Sequence, residues 1–466
     1  MKEVERKDNI IDFTTGSPAK NILRFFWPML LTSMLQQVYN FVDIMIVGKG
    51  LGDHAVAAVG NMGSLFFLIV GFSIGLSNGF GVLIAQSFGA KDIKLLRKRV
   101  AATVVLGILL SILITIFSLL FLPKALVILQ TDQILMDDCL RYGYVIFGGL
   151  FSAIAYNIAA SILRALGDSK TPLYAIIVSS ILNLSLDSFF ILVVHTGVEG
   201  AAIATIISQI VSGIFCIIKI SRIDMLKLSR KDFHNENVIY MDLFKNGLPM
   251  AFMNSITAIG CMVVQGFVNG HGVDYTTAYA ACSKYINLFI NPAATAGGAM
   301  GAYTSQNYGA KEYDRIKKGL KVCLTIAFVT YVLLGTLMTF FPRFLADILL
   351  DGEESIRLAC QFLPICGMTM IFVDFLFVFR NGVQGMGNPI LPMWSGVLEM
   401  FLRIAVIALL IGPFGFKACA FAEVSAWIGA FIMNYIGFVM GFKDRKKVHF
   451  SPFRSQDLIL RRKVKV

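Results

Sequence analysis

The chain has 466 residues, 56% of them hydrophobic and only 15% charged, with a mean hydropathy of +0.73 and a formal net charge of +12. A soluble protein of this length carries about 25% charged residues, so the balance excludes an ordinary soluble enzyme. The positive charge alone would suit a nucleic-acid binder, but its placement along the chain assigns it elsewhere.

The apolar residues fall in twelve blocks, each long enough to cross a bilayer at roughly 20 residues. They lie at about 21–48, 56–85, 100–122, 138–163, 172–194, 200–219, 240–269, 277–305, 320–341, 356–383, 390–411 and 417–441. A β-barrel would instead show alternating segments of about ten residues. The fold expected is an all-α polytopic membrane protein with twelve transmembrane helices, numbered here as spans 1–12. The first residues, 1–20, are polar and charged with no apolar run, so span 1 is expected to direct insertion without a cleaved signal peptide.

Span 1 holds the most informative stretch. Taken as a helix, Gln36, Asn40 and Asp43 fall at i, i+4 and i+7, with Tyr39 one turn before Asp43. A charged aspartate in hydrocarbon is costly, so it faces protein or a wet cavity and marks a functional site. Pro28 lies early in the same span and is the candidate hinge. Asp187 repeats the signal in span 5, where Asn183 and Asp187 share a face at i, i+4. Two carboxylates converging in one lobe would bind and release a proton, which is what an ion-coupled carrier requires.

The second half repeats the first. Gln86–Ser87–Phe88–Gly89–Ala90–Lys91–Asp92 is answered by Gln306–Asn307–Tyr308–Gly309–Ala310–Lys311–Glu312, an offset of 220. Leu166–Gly167–Asp168 with Pro172 is answered by Met386–Gly387–Asn388 with Pro392 at the same offset. Pro28 matches Pro249 at 221, and Gly200–Ala204 matches Ala418–Ala422 at 218. A constant offset across half the chain implies two copies of a six-span unit. An even number of spans gives both copies the same orientation, so the pseudo-two-fold axis runs along the membrane normal with a cavity between the lobes. The expected division is an N-terminal segment 1–20, an N-lobe 21–220, a polar linker 221–239, a C-lobe 240–442 and a basic tail 443–466.

With the N-terminus placed inside, Lys and Arg crowd into the inner loops, at Lys91–Arg99, Arg164–Lys170, Lys219–Lys245, Lys311–Lys321, Arg380 and the tail. The outer side keeps only Lys49, Lys124, Arg141, Arg343, Arg357 and Lys417. This asymmetry puts both termini in the cytoplasm and gives the inner face an affinity for anionic lipid. The eight cysteines are scattered without CxxC spacing and read as buried thiols.

The C-lobe carries further intramembrane charges. Glu399 and Arg403 stand at i, i+4 and read as a self-neutralising pair. Glu423 takes the place of Thr205 under the 218 offset, and Asp374 lies in span 10; both are candidate C-lobe acids. Lys284 in span 8 either repels cations or neutralises Asp374. Thirty-nine phenylalanines and twenty methionines supply soft surfaces for helix packing and for a cavity that takes aromatic cations. Gly48–Lys49–Gly50–Leu51–Gly52 lacks the spacing of a phosphate loop, and no hydrolase motif is present.

Pro28, Gln36, Tyr39, Asp43 and Gly48 together resemble span 1 of the multidrug and toxic compound extrusion (MATE) transporters. Gln86 with Gly89–Ala90–Lys91, Arg164–Pro172 and the six-plus-six layout resemble the same family over nearly the whole chain, and its DinF-type branch more closely than its NorM-type branch. The resemblance implies two six-helix bundles in a V that export cationic amphipathic compounds in exchange for protons or sodium ions, with no other cofactor. It assigns ion coupling to Asp43, Asn183, Asp187 and Thr205, and a surrounding polar network to Gln36, Tyr39, Asn40, Tyr142 and Asn157. Thr257 stands where the NorM-type pattern places a coupling glutamate, which favours the N-lobe site. The expected partners are small-molecule cationic drugs and membrane lipids, with no nucleic acid and no second copy of the chain, in the cytoplasmic membrane. A flippase of lipid-linked oligosaccharide is the alternative; it would want a cavity lined with Arg or Lys for a pyrophosphate. A membrane-bound transferase would need a nucleophile–base or metal constellation, and the sequence offers none.

Overall fold

The computed structural model describes residues 9–129, 131–234 and 237–443. The first eight residues and most of the basic tail, with the charges assigned to them above, lie outside the described residues. Among the described residues the chain is helical throughout, with no strand.

Among the described residues twelve rods run through the molecule, ten of them, or eleven with the bent span 4, long and apolar enough to cross a membrane. Spans 1–3 are Pro18–Leu51, Asp53–Gly89 and Ile93–Ile128. Span 4 is a bent pair, Gln133–Gly148 and Leu150–Ala165, meeting at 44° around Gly149. Span 5 runs as an α-helix over Lys170–Asp187 and continues as a π-helix over Ser188–Val193, and span 6 is Val198–Ser221. Spans 7 and 8 are Asn237–Asn269 and Val273–Gly309. Span 9 joins Tyr313–Thr330, a π turn at Tyr331–Gly335 and Thr336–Phe340. Spans 10–12 are Glu353–Gly385, Ile390–Phe414 and Lys417–Lys443. Span 8 is long enough to cross but the least apolar of the twelve, because it carries Asp274, Lys284, Asn287, Asn291, Gln306 and Asn307.

The duplicated motifs are turns. Gly167 adopts φ +85° and Gly387 φ +83°, ending spans 4 and 10. Asp168 N–H then reaches back to Leu163 O at 2.9 Å, and Asn388 N–H to Val383 O at 3.3 Å, the Schellman closure. Asp168 goes on to cap span 5, its Oδ1 accepting from the Lys170 and Thr171 amides, both at 3.0 Å. Lys91 (φ 58°) and Lys311 (φ 62°) turn the chain out of spans 2 and 8 in the same way. The Gly-Ala-Lys signature is thus a left-handed helix stop, used twice.

Spans 1–6 and 7–12 form two lobes that meet at one end, where all these turns lie; it is called the basic end here for its lysines and arginines. Apolar side chains gain nothing from leaving lipid for another apolar surface, so close contact depends on small residues. A Cβ on Gly89 would run into the Gln306 carbonyl, and one on Gly309 into the Gln86 carbonyl, a reciprocal crossing about the pseudo-two-fold axis. The same glutamines close it: Gln86 Nε2 donates to Gly385 O at 3.1 Å and Gln306 Nε2 to Ala165 O at 2.8 Å. Gly75 and Gly79 continue the seam against Met250–Ala251 and Gly247.

The N-terminal segment wedges into the same junction. Phe13 is fully buried, its amide donating to Gln306 Oε1 at 2.9 Å, and Arg315 Nη2 donates to Phe13 O at 2.8 Å and Thr15 O at 2.9 Å. Towards the opposite end the lobes part: Ile44, Phe41 and Phe67 there have exposed side chains, while Phe25, Phe26 and Tyr303 at the basic end are buried.

Because no side chain fits at the crossing, Gly89→Val and Gly309→Val are each expected to splay the basic end, at a cost of about 1–3 kcal/mol from overpacking. Spin labels on Ala90→Cys and Ala310→Cys should read a longer distance than in the parent protein. Gly71→Val, with open space at its Cβ, should leave that distance unaltered.

Candidate functional site

The N-lobe holds a polar cluster in the middle of the bundle, built by spans 1, 4, 5 and 6. Asp43 comes from span 1 and Asp187 from span 5, and their carboxyl groups are in hydrogen-bonding contact. Asp187 is fully buried, and its Oδ1 and the Oδ1 of Asp43 have no other partner. With its amide turned so that the nitrogen faces Asp187, Asn183 donates to Asp187 Oδ2 at 2.8 Å and accepts from the Thr205 amide at 3.3 Å. The Tyr39 hydroxyl lies next to Thr205, and Tyr142 lies within the electrostatic reach of Asp43, Tyr39 and Asp187. Among the described residues no Lys or Arg acts on the pair.

Local structure explains why these groups meet. Asn183 and Asp187 share a face of span 5 one turn apart. Immediately after Asp187 the helix widens into the π turn, a distortion common where a side chain must be re-aimed. Span 1 is held against that turn where Gly50 meets Ile191. Two carboxyl groups in contact cannot both carry charge in a poorly solvated place, so the pair holds at least one proton or else a cation. The chemistry available is reversible binding of a small positive ion.

The other sequence candidates separate from this cluster. Asn40 is exposed, on the face of span 1 turned towards the other lobe, and Gln36 and Asn157 are half-buried. Pro28 is buried in the basic half of span 1, its carbonyl accepting from Thr32 Oγ1 at 2.7 Å.

In the C-lobe Asp374 is fully buried on span 10 with neither carboxyl oxygen partnered, so Lys284, which is exposed, does not neutralise it. Glu423 is taken up in a buried ion-pair chain. Arg380 Nη2 lies 2.6 Å from Glu399 Oε2, and Arg403 Nη2 lies 3.3 Å from Glu399 Oε1 and 2.9 Å from Glu423 Oε2. Tyr279 OH completes it, donating to Glu423 Oε1 at 3.3 Å. Two readings of the sequence change here. Arg380, counted among the inner-loop charges, is a buried partner of Glu399. The Glu399–Arg403 pair is not self-contained, because both residues also bind across helices. The sequence signal lay in the offsets, since Arg403 stands 220 residues after Asn183 and Glu423 stands 218 after Thr205.

The MatE family model matches residues 28–189 and 249–409. The probable multidrug resistance protein YoeA of Bacillus subtilis is 29% identical over 385 residues, covering 81% of this chain and 82% of that protein. The probable multidrug resistance protein YpnP of the same organism is 26% identical over 421 residues, covering 90% and 91%. A crystal structure of a MATE in complex with MaL6 superposes with a TM-score of 0.85 at 22% identity, covering 95% of this chain and 98% of that one. Two matched segments, one per lobe, and a shared twelve-helix architecture place the protein: it belongs to the MatE family of multidrug efflux transporters, a multi-pass membrane carrier of small molecules and not an enzyme.

Proposed function

We propose that the protein exports cationic amphipathic compounds across the cytoplasmic membrane in exchange for protons, with Asp43 and Asp187 as the proton carrier and Asn183, Thr205 and Tyr39 positioning them. The observation that carries this reading is the contact of the buried Asp187 carboxyl with that of the half-buried Asp43, each with a buried, unpartnered oxygen and neither beside a fixed cation. The basic end, rich in lysine and arginine, is the cytoplasmic face. The V then stands open to the outside, the state in which a compound leaves and a proton enters. The carrier works as a monomer among lipids, and no nucleic acid is involved.

Proton and compound need not share atoms. Each has only to alter the affinity for the other, and that coupling is reciprocal. The unprotonated pair attracts a positive compound and the protonated pair does not, so affinity falls as pH falls. In the purified wild type a lipophilic cation should bind at least about fivefold more weakly at pH 5 than at pH 8, the lower bound of ordinary coupling. Asp43→Asn should flatten that dependence; equal slopes in the two proteins would refute the assignment.

Transport supplies the second check. Proteoliposomes loaded with a fluorescent lipophilic cation are given a proton gradient, then a sodium gradient. Asp43→Asn and Asp187→Asn should each abolish proton-driven movement, and Thr205→Val should slow it several-fold. Sodium-driven transport surviving in Asp43→Asn would move the coupling site to Asp374, the unpartnered acid of the other lobe.

A further inference from the structure

Span 8 carries a cation that the coupling site leaves unused. Spans 1 and 8 run antiparallel and touch along their basic halves: Ser33 Oγ donates to Asn291 Oδ1 at 2.7 Å, and Phe26 and Leu30 pack with Ala296. One face of span 8 carries Asn291, Asn287, Lys284 and Ala280, spaced by threes and fours. At Asn291 that face lies on span 1. Further out it is uncovered, with Asn287, Lys284 and Ala280 exposed and Gln37, Asn40 and Phe41 exposed on the facing side of span 1. Lys284 and Asn40 each lie seven residues beyond the Ser33–Asn291 contact, about 10 Å of helix, and so stand at one depth on opposite walls.

Lys284 makes no ion pair or hydrogen bond among the described residues. The C-lobe carboxylates do not serve it, since Glu399 and Glu423 are taken by Arg380 and Arg403, and Asp374 is sealed from the surface. An uncompensated ammonium eleven residues inside the Val273 end of a 37-residue membrane helix is expensive, and such a group marks a ligand or ion path. It repels a simple cation entering the same gap and attracts an anion. Phe41 (64% exposed) offers apolar surface on the facing wall of span 1, and Asp43 lies one turn beyond Asn40 on the same span.

Resting on the exporter reading above, the geometry points to Lys284 as the residue that sets specificity in the gap between the lobes. It receives the anionic group of amphipathic compounds that also carry a positive charge, and so selects zwitterions over plain cations. The positive end of such a compound faces the carboxyl pair of the N-lobe, and its apolar body lies on the exposed Phe41.

Two dyes with one xanthylium body test this: rhodamine B, which has a free carboxylate, and its ethyl ester, which does not. Binding to the purified full-length protein is read by fluorescence anisotropy, and transport in proteoliposomes. The wild type should bind the acid more tightly than the ester. Lys284→Met should weaken the acid by about tenfold, the size of one charge-assisted hydrogen bond, and tighten the ester by relieving repulsion. Lys284→Arg should retain the preference for the acid. Opposite shifts for the two dyes cannot come from misfolding. An acid-to-ester ratio unchanged in Lys284→Met, or a wild type that carries the ester and refuses the acid, overturns the inference and leaves the exporter reading standing. A wild type that moves neither dye overturns both.

Discussion

A carboxylate placed in hydrocarbon has to be neutralised by something, and the duplicated scaffold meets that requirement in two different ways. In the N-lobe Asp43 and Asp187 touch each other, with Asn183 and Thr205 as neutral neighbours. At the repeat-related positions of the C-lobe, Val264 and Ile407 stand in place of the two aspartates, Arg403 in place of Asn183, and Glu423 in place of Thr205. Arg403 and Glu423 are 2.9 Å apart and buried. A guanidinium compensates its carboxylates permanently, because separating such a pair in a low-dielectric interior is strongly unfavourable. At these repeat-related positions one lobe therefore holds a fixed charge balance, and the other a carboxyl pair left for the mobile ion proposed above, on one architecture.

The duplication also explains how the lobes are joined. Each supplies the same helix stop and the same glutamine, and the pair is reciprocal: Gln86 reaches the carbonyl of Gly385 and Gln306 that of Ala165, positions again 220 apart. At the crossing itself backbone meets backbone at Gly89 and Gly309, which leaves little to repack there and suits rigid bodies that rock against each other. The wedge of Ile11 and Phe13 under Gly167 and Arg315 breaks the symmetry, as it comes from one terminus only.

Much of this was legible because the signals were local. Twelve apolar blocks gave the helices, and the recurring Gly-Ala-Lys and Gly-Asp/Asn turns located the repeat, since a left-handed stop restricts which residues can serve. Asp187 was marked by its cost in lipid and by Asn183 one turn away. The rest was hidden for an equally physical reason. Arg380 pairs with Glu399 across two helices, and nothing in the spacing of 19 residues distinguishes a buried arginine near a helix end from one at the membrane face. The bend of span 4 at Gly149 and the π turn after Asp187 arise from packing against neighbours, which propensity along one helix does not encode. Gln36 and Asn40 shared a stripe with Asp43 on paper, yet a helix crossing at an angle presents different parts of one stripe to different surroundings.

Span 1 is the element on which the proposed coupling depends. Its basic half is packed on span 8 through Ser33, Phe26 and Leu30, and its outer half carries Asp43 on the face towards span 5 and Asn40 on the face towards the gap. An ion that changes how Asp43 sits against Asp187 acts on the same rod that forms one wall of the space between the lobes. Coupling between ion and compound then needs no long relay of side chains. It needs only that the outer half of one helix have two positions whose balance both ligands shift. The π turn beside Asp187, with Ile191 against Gly50, places the least regular stretch of span 5 at the point where that half-helix is held.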